Sequence, residues 1–377
     1  GAVFCHEEGT MPVEIKSSIS VPRVDIRRVS ATGKSTICHV FGEDKAGLLP
    51  KWEEDDALDI QANAGTSIDV PISQNEVTLA VAGGASAKVG RISVDIASAA
   101  SFWLDASVAA SVVAVTNASG AVVFADDAGH PYVQEWLDRR SGRSSPFLFN
   151  YRCYGNSATS TAKGEWVDVP VTQPIYGSDM LNGLAVMDLS TGSRRLLSAC
   201  NGQYSVLTDV KFCVMVFGSS AGGGKALLAT SDGTFARGMS TASGDYKAAD
   251  PITTNGAVGV WMNGLKVDPS KTGLSGDWDI VSVDTSPMKL NGLGYGGKGI
   301  SDAPGRAKYA EVVFFSRVLT NAERISVERY LAKKWGLADK YTEDLGRVVL
   351  SGCGTVELSG TIPLSGGFGG NLRMSDD

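Results

Sequence analysis

Residues 212–217 read Phe-Cys-Val-Met-Val-Phe, six apolar side chains in succession, closed by Gly218. Successive side chains on a strand point to opposite faces, so a strand that is apolar at every position needs cover on both sides. The run has strand length and falls far short of the roughly 18 apolar residues that a membrane-spanning helix requires. Tyr309 to Phe315 reads as a second strand apolar on both faces. Both runs are consistent with central strands buried on both faces.

What surrounds them is β-like. Strand-length segments alternate with Gly, Ser and Asn turns at short spacing, the pattern of an all-β sandwich, and 45 glycines supply the turns. Lys225 follows the Gly-rich turn after Phe217, and Ala226 to Ala229 reads as the return strand. Gly256 to Met262, Asn263-Gly264, then Leu265 to Val267 reads as a hairpin on a type I′ turn. One helix is expected. Thr320 and Glu323 have capping-box spacing, Val327, Leu331 and Trp335 form a buried stripe, and Gly336 ends it. Arg324 and Glu328 are expected to pair on its exposed side.

Three segments differ in character. Residues 1–98 read as a smaller N-terminal β module, with alternating strands at Val13 to Lys16, Ser67 to Ser73 and Glu76 to Val81. The acidic run Glu53 to Asp56 within it is read as a solvated loop. Residues 99–340 carry the sandwich pattern. Residues 341–377 form a Gly-rich β tail in which Leu350-Ser-Gly, Leu358-Ser-Gly and Leu364-Ser-Gly recur, a pattern that suits the start of a further β module or β-solenoid. Gly1 without a basic-then-apolar leader, and an end at Asp377 inside that pattern, lead us to expect a processed product or a piece of a larger protein.

A formal charge of −7 argues against nucleic acid as a partner, and no apolar run reaches membrane-spanning length. The six cysteines allow 15 complete pairings; Cys213, inside the apolar strand, reads as a free buried thiol. Three unpaired-spacing histidines and no CxxC give no zinc site. Gly218-Ser-Ser-Ala-Gly222 fits a hydrolase string by letter, but a strand follows it where a nucleophile elbow needs a helix. Gly292 to Gly297 fits GxGxxG without a following helix, so a dinucleotide site is not expected.

Trp103-Leu-Asp-Ala-Ser107, then Val133-Gln-Glu-Trp-Leu-Asp138 with Ser141-Gly142, then Ala310 to Thr320 running into Ala322-Glu-Arg324 and Tyr330 to Leu337, lie in this order along the chain. Together they resemble the laminin-G-like, concanavalin-A-like domains of large bacterial surface proteins. The resemblance implies a jelly-roll β-sandwich with one short C-terminal helix, a secreted or cell-surface location, and carbohydrate or protein ligands, often with calcium. Glycanases of that fold place acids on one strand as Glu-x-Asp-x-(x)-Glu, and this chain has no such run, so no enzyme is expected.

For ligand binding, Gly276-Asp277-Trp278-Asp279 sets an indole between two acids in what its glycine marks as a loop, with Tyr295 and Arg306 in nearby segments. Trp278, Tyr295, Asp277, Asp279 and Arg306 are the candidate ligand residues; Asp232 and Asp302 are candidates for calcium. The leading expectation is a non-catalytic glycan-binding or adhesive module with carbohydrate or a cell-surface glycoconjugate as partner. The alternatives are a structural spacer of a large surface protein and an accessory domain of a glycoside-active enzyme.

Overall fold

The computed structural model describes residues 2–8, 22–41 (without 31), 57–72, 77–91, 93–140 (without 118), 150–153, 174–189, 196–197, 210–219, 225–230, 233–238, 252–253, 259–286, 290–293, 307–342, 347–359, 362 and 364–375. It is mostly β, with several sheets and two helices among these residues.

In chain order, the elements begin with β1 (Ala2–Glu7), β2 (Arg23–Val29), β3 (Ser35–Phe41), β4 (Ala57–Ala62), β5 (Ser67–Ile72), β6 (Val77–Val81) and β7 (Ser86–Arg91). A long central stretch follows: α1 (Ile96–Ala99), β8 (Phe102–Asp105), β9 (Val112–Ala114), β10 (Val133–Leu137), β11 (Asn150–Cys153), β12 (Ile175–Leu181), β13 (Leu184–Asp188), β14 (Leu196–Leu197), β15 (Phe212–Ser219), β16 (Lys225–Thr230), β17 (Gly233–Gly238), β18 (Ile252–Thr253), β19 (Val260–Met262), β20 (Leu265–Lys266), β21 (Trp278–Asp284), β22 (Leu290–Leu293), β23 (Ala307–Phe315) and α2 (Asn321–Lys334). The chain closes with β24 (Val348–Gly352), β25 (Thr355–Ser359), β26 (Leu364–Ser365) and β27 (Asn371–Ser375). It divides into two units: Gly1–Ser93, Thr320–Ser326 and Asp344–Asp377 form the first, and Val94–Leu319 with Val327–Glu343 the second.

The first unit is a stack of parallel rungs. Each rung is a strand in one sheet, a sharp corner, and a strand in another. The rungs are β4–β5, β6–β7, β24–β25 and β26–β27, and neighbouring rungs pair in parallel on both sheets. In-register pairing stacks like on like. Leu58, Val77 and Val348 form one inward column, Ile68, Ala87 and Val356 another, and Val70, Val89 and Leu358 a third, all buried in one core. The tail set apart by composition is thus the second half of this stack. Its glycines sit at corners: a Cβ on Gly354 would come within 2.5 Å of the Ala82 carbonyl oxygen, and one on Gly370 within 2.1 Å of Gly354's. Only glycine lets the corners approach at rung spacing. Antiparallel strands β1, β3 and β2 extend the first sheet beyond β4. A disulfide joins the facing residues Cys5 and Cys38.

The second unit is a pair of antiparallel sheets sharing a core. One runs β12-β13-β23-β15-β21-β19-β20, with β8 also on β23, and the other β18-β17-β16-β22-β14-β11-β10-β9. Between them lie Cys213, Met215 and Phe217 of β15 with Trp136, Leu228 and Leu293 of the facing sheet. The alternate residues Phe212, Val214 and Val216 point the other way, into a second core with Val327, Leu331 and Trp335 of α2. The run apolar at every position is therefore a central strand covered on both faces. Cys213 is a free buried thiol, and burial raises its pKa well above the ordinary value.

Local signals hold where their chemistry is local. The Thr320 amide donates to Glu323 Oε2 (3.0 Å) and the Glu323 amide to Thr320 Oγ1 (3.3 Å), a reciprocal capping box. Asn263 and Gly264 both have positive φ (50° and 93°), as a type I′ turn demands. Arg324 and Glu328, expected on an exposed face, are both buried. Glu328 accepts from Ser282 Oγ (2.5 Å) and from the Tyr341 hydroxyl (3.3 Å). At 100° per residue Arg324 and Glu328 share the side of the Val327, Leu331 and Trp335 stripe, and it is Lys333, on the far side, that is exposed.

Candidate functional site

Trp278 opens β21 opposite Gly218 of β15. Its ring lies over that glycine, where a Cβ would come within 2.9 Å of Cε3, so the bare backbone is the indole's seat. The expected loop is a strand from Trp278 onward, and alternation along it separates the three candidates. Trp278 falls on the α2-covered face with Ile280 and packs, half-buried, against that core. Trp261, also half-buried, lies on the same face of the neighbouring strand β19, against Phe212 (5.8 Å between ring centres).

Asp279 is fully buried and accepts from Asn263 Nδ2 (2.9 Å) and the Ser275 amide (3.0 Å). Asn263 Oδ1 in turn accepts from the Ile280 amide (2.8 Å). Asp279 thereby fixes the Asn263-Gly264 turn. Asp277 is exposed and ion-paired with Lys340, whose hydrogen bond lowers the Asp277 carboxyl below its ordinary pKa. Lys340 Nζ also donates to the Trp278 carbonyl (3.3 Å). The sheet margin thus brings together one half-buried indole, Asp277 and Lys340. Tyr295, Arg306, Asp232 and Asp302 lie outside the described residues.

The sandwich holds a second polar constellation that strand-by-strand reading of the acids does not reveal. Asp105 of β8 and Glu311 of β23 are cross-strand partners, and both are fully buried. A bulge in β23 sets Val216 opposite Glu311 and Phe217 opposite Tyr309, leaving Ala310 as the extra residue. Ala310 and Glu311 consequently both turn toward α2, while Tyr309 and Val312 turn into the sandwich.

Lys334 of α2 bridges the two carboxylates, its Nζ 2.6 Å from Asp105 Oδ2 and 2.5 Å from Glu311 Oε2. Trp103 Nε1 donates to Glu311 Oε1 and Trp335 Nε1 to Oε2, each at 2.7 Å. Arg139 pairs with Asp105 and lies 4.2 Å over the Trp103 ring. Ser107 donates to Asp105 Oδ1 from its amide (3.0 Å) and its hydroxyl (2.6 Å). Burial raises the Glu311 pKa, and the neighbouring Asp105 charge adds to it. For Lys334, burial works against the ammonium, but Glu311 and Asp105 outweigh it and the pKa is raised.

Two carboxylates at this proximity meet the first requirement for retaining glycoside hydrolysis. They lack the second, a face open to substrate, because both are enclosed and their oxygens already accept from Lys334, Arg139, Ser107 and two indoles. The cluster is a fastening between two strands and the helix. The three quoted motifs converge on it. Trp103 and Asp105 come from the first, Glu311, Lys334 and Trp335 from the third, and Asp138 of the second accepts from the Trp103 amide (3.2 Å) and pairs with Arg140. The signal that could have found it is the charged residue inside an otherwise apolar strand: Asp105 after Phe-Trp-Leu, and Glu311 between Ala310 and Val312.

Among the described residues no group of three or more His, Cys, Asp or Glu is placed to hold a metal ion, and no helix is long and apolar enough to cross a membrane. Comparisons with protein-family models, with curated proteins and with solved structures return no match for this chain.

Proposed function

We propose that the chain is a non-catalytic structural segment of a secreted or cell-surface protein, in which a concanavalin-A-like jelly-roll is inserted into the sequence of a stack of parallel rungs, between the second and third. The observation that carries this reading is the packing of the aromatics. In the second unit Trp103, Trp136 and Trp335 are buried and Trp261 and Trp278 lie half-buried against the α2-side core, so no described tryptophan stands clear as a sugar platform. The Cys5–Cys38 disulfide supports an oxidising compartment. The enclosure of the Asp105–Glu311 pair supports a non-catalytic role.

Glycan binding is the second reading, favoured by the Trp278 margin. A half-open indole flanked by Asp277 and Lys340 offers a stacking face with polar groups alongside for hydroxyls. A glycan-array screen of the whole chain, with and without calcium, separates the two. The spacer reading expects a blank array in both conditions. A reproducible hit that Trp278→Ala removes, with cooperative unfolding retained, replaces it with a carbohydrate-binding module whose partner is a surface glycoconjugate.

A further inference from the structure

Lys334 Nζ touches one oxygen of each buried carboxylate, Asp105 Oδ2 at 2.6 Å and Glu311 Oε2 at 2.5 Å. The two oxygens of Asp105 have different neighbours. Oδ1 accepts from the Ser107 amide (3.0 Å) and hydroxyl (2.6 Å), whereas Oδ2 faces Lys334 and Arg139. Glu311 is fixed by its two indole donors, so Oε2 stays beside Nζ. Both carboxylates are fully buried, and the Lys334 side chain is 17% exposed. An ion pair needs only the opposed charges. Here an amine nitrogen, a carboxyl group and a base are in contact as well. Two donors already point at Oδ1, the oxygen on which charge develops when the amine attacks the carboxyl carbon.

We infer that Lys334 and Asp105 condense to an intramolecular amide, Nζ to Cγ, with Glu311 as the proton carrier. The ion-paired chain is the reactant. Glu311 Oε2 takes a proton from Nζ, and the freed amine attacks Asp105 Cγ. The Ser107 donors stabilise the charge that gathers on Oδ1. Oδ2 receives two protons in all from Nζ, carried by Glu311, and departs as water when its bond to Cγ breaks. Arg139, which donates to Oδ2, favours that departure. One ammonium and one carboxylate thus become one secondary amide and one water. No oxidant, reductant or other reactant is needed, and Glu311 ends as it began.

Three features favour the amide. Contact between well-oriented reacting groups is worth an effective concentration of roughly 10⁵ M or more. Condensation removes one positive and one negative charge from a buried site, where each is costly. Oδ1 becomes the amide oxygen and keeps both Ser107 bonds. One feature makes the step slow. Burial works against the Lys334 ammonium, but Glu311 and Asp105 outweigh it, so free amine is scarce at neutral pH. Freshly made chain is therefore ion-paired, and the amide accumulates with age. Besides the two acids, the titratable groups facing Nζ are Tyr330, its ring centre 5.8 Å away, and Arg139 on the shared Asp105 oxygen. The product ties β8 covalently to the last turn of α2, 229 residues further along the chain. It goes beyond the spacer role and stands whether or not the Trp278 margin binds glycans.

The test follows the intact mass of the whole chain, fresh and after prolonged incubation at neutral pH, and maps its proteolytic fragments under denaturing conditions. A species lighter by one water is expected to grow with time. It should yield a branched peptide joining the segments that carry Asp105 and Lys334. Asp105→Ala and Lys334→Arg, the second of which keeps the positive charge, should both abolish it. Glu311→Gln, which keeps both reacting groups, should slow it by about a hundredfold, a general base's usual worth. Cooperative unfolding of each variant confirms its fold. Four results overturn the proposal: an aged chain of unchanged mass, a water loss found only in linear peptides, as dehydration at Asp232-Gly233 gives, a branch on Glu311 in place of Asp105, or an undiminished rate in Glu311→Gln.

Discussion

Glu311 sits where the apolar patterning of a central strand breaks, and its neighbours show what that interruption does. The carboxylate accepts from two indoles and from Lys334, so the helix is held to the sheet by directional contacts as well as by the apolar stripe of Val327, Leu331 and Trp335. Removing one partner of a buried ion pair leaves the other charge uncompensated. Lys334→Met is therefore expected to destabilise the second unit by about 3 kcal/mol, measured by denaturant unfolding. Adding Glu311→Gln, which removes the stranded charge but keeps a carbonyl acceptor on only one of the two sides that the indoles address, should recover part of the loss.

The pH dependence of the same residue has a definite sign. The folded-state pKa of Lys334 is raised above 10.5, so its stabilisation is fully present below pH 10.5 and is lost as pH climbs through the raised value. The stability difference between wild type and Lys334→Met should shrink over that alkaline range. A difference that stays constant there would show that the ammonium does not hold the pair. Glu311, an acid with a raised pKa, acts in the same sense in its own range. Its contribution is largest in acid and falls as pH rises through its folded value.

At the scale of elements, the features that are legible in the sequence are those whose cause lies within a few residues. The Thr320–Glu323 capping box, the Asn263-Gly264 turn and the all-apolar β15 each follow from local hydrogen bonding, local φ or strict alternation. Features that depend on what covers an element are not legible in this way. Arg324 and Glu328 read as a surface pair because both are charged and spaced i, i+4, but that spacing sets them on the same side of the helix as Val327, Leu331 and Trp335, the side that packs. Trp278 reads as a loop residue because of Gly276, but a strand of the apolar sheet starts directly behind it. The turn itself offers a test. Gly264 combines φ +93° with a would-be Cβ 1.9 Å from the Thr342 carbonyl oxygen. Gly264→Ala meets backbone strain and a clash with main chain, and should cost about 2 kcal/mol or more. Thr320→Ala, which removes only a cap, should cost about 1 kcal/mol. Equal losses would mean that the hairpin shifts freely away from Thr342.

At the scale of the whole molecule, the rung stack is hidden from a linear reading because its two halves are separated in sequence by the sandwich. The tail alone shows too few coils to stand, and the segment from Ala57 to Arg91 alone reads as ordinary alternating strands. Register joins them, since Val77 faces Val348 and Ala87 faces Val356. Two consequences separate the units experimentally. Reducing Cys5–Cys38 should lower the stability of the first unit by about 2–4 kcal/mol, because a cross-link closing a chain loop restricts the unfolded state, and should leave the exchange of β15 and β23 amides unchanged. Truncation before Asp344 removes the third and fourth rungs together. Val77, Leu79, Ala87 and Val89 then lose the neighbours that complete their columns, and two rungs fall below the number a stacked array needs. Amides of residues 77–91 should exchange at near-unfolded rates in the truncated chain. The β15–β23 ladder, whose partners all lie in the second unit, should keep its protection. Persistent protection over 77–91 would show that the N-terminal rungs fold without the tail, and the stack would then be two modules and not one.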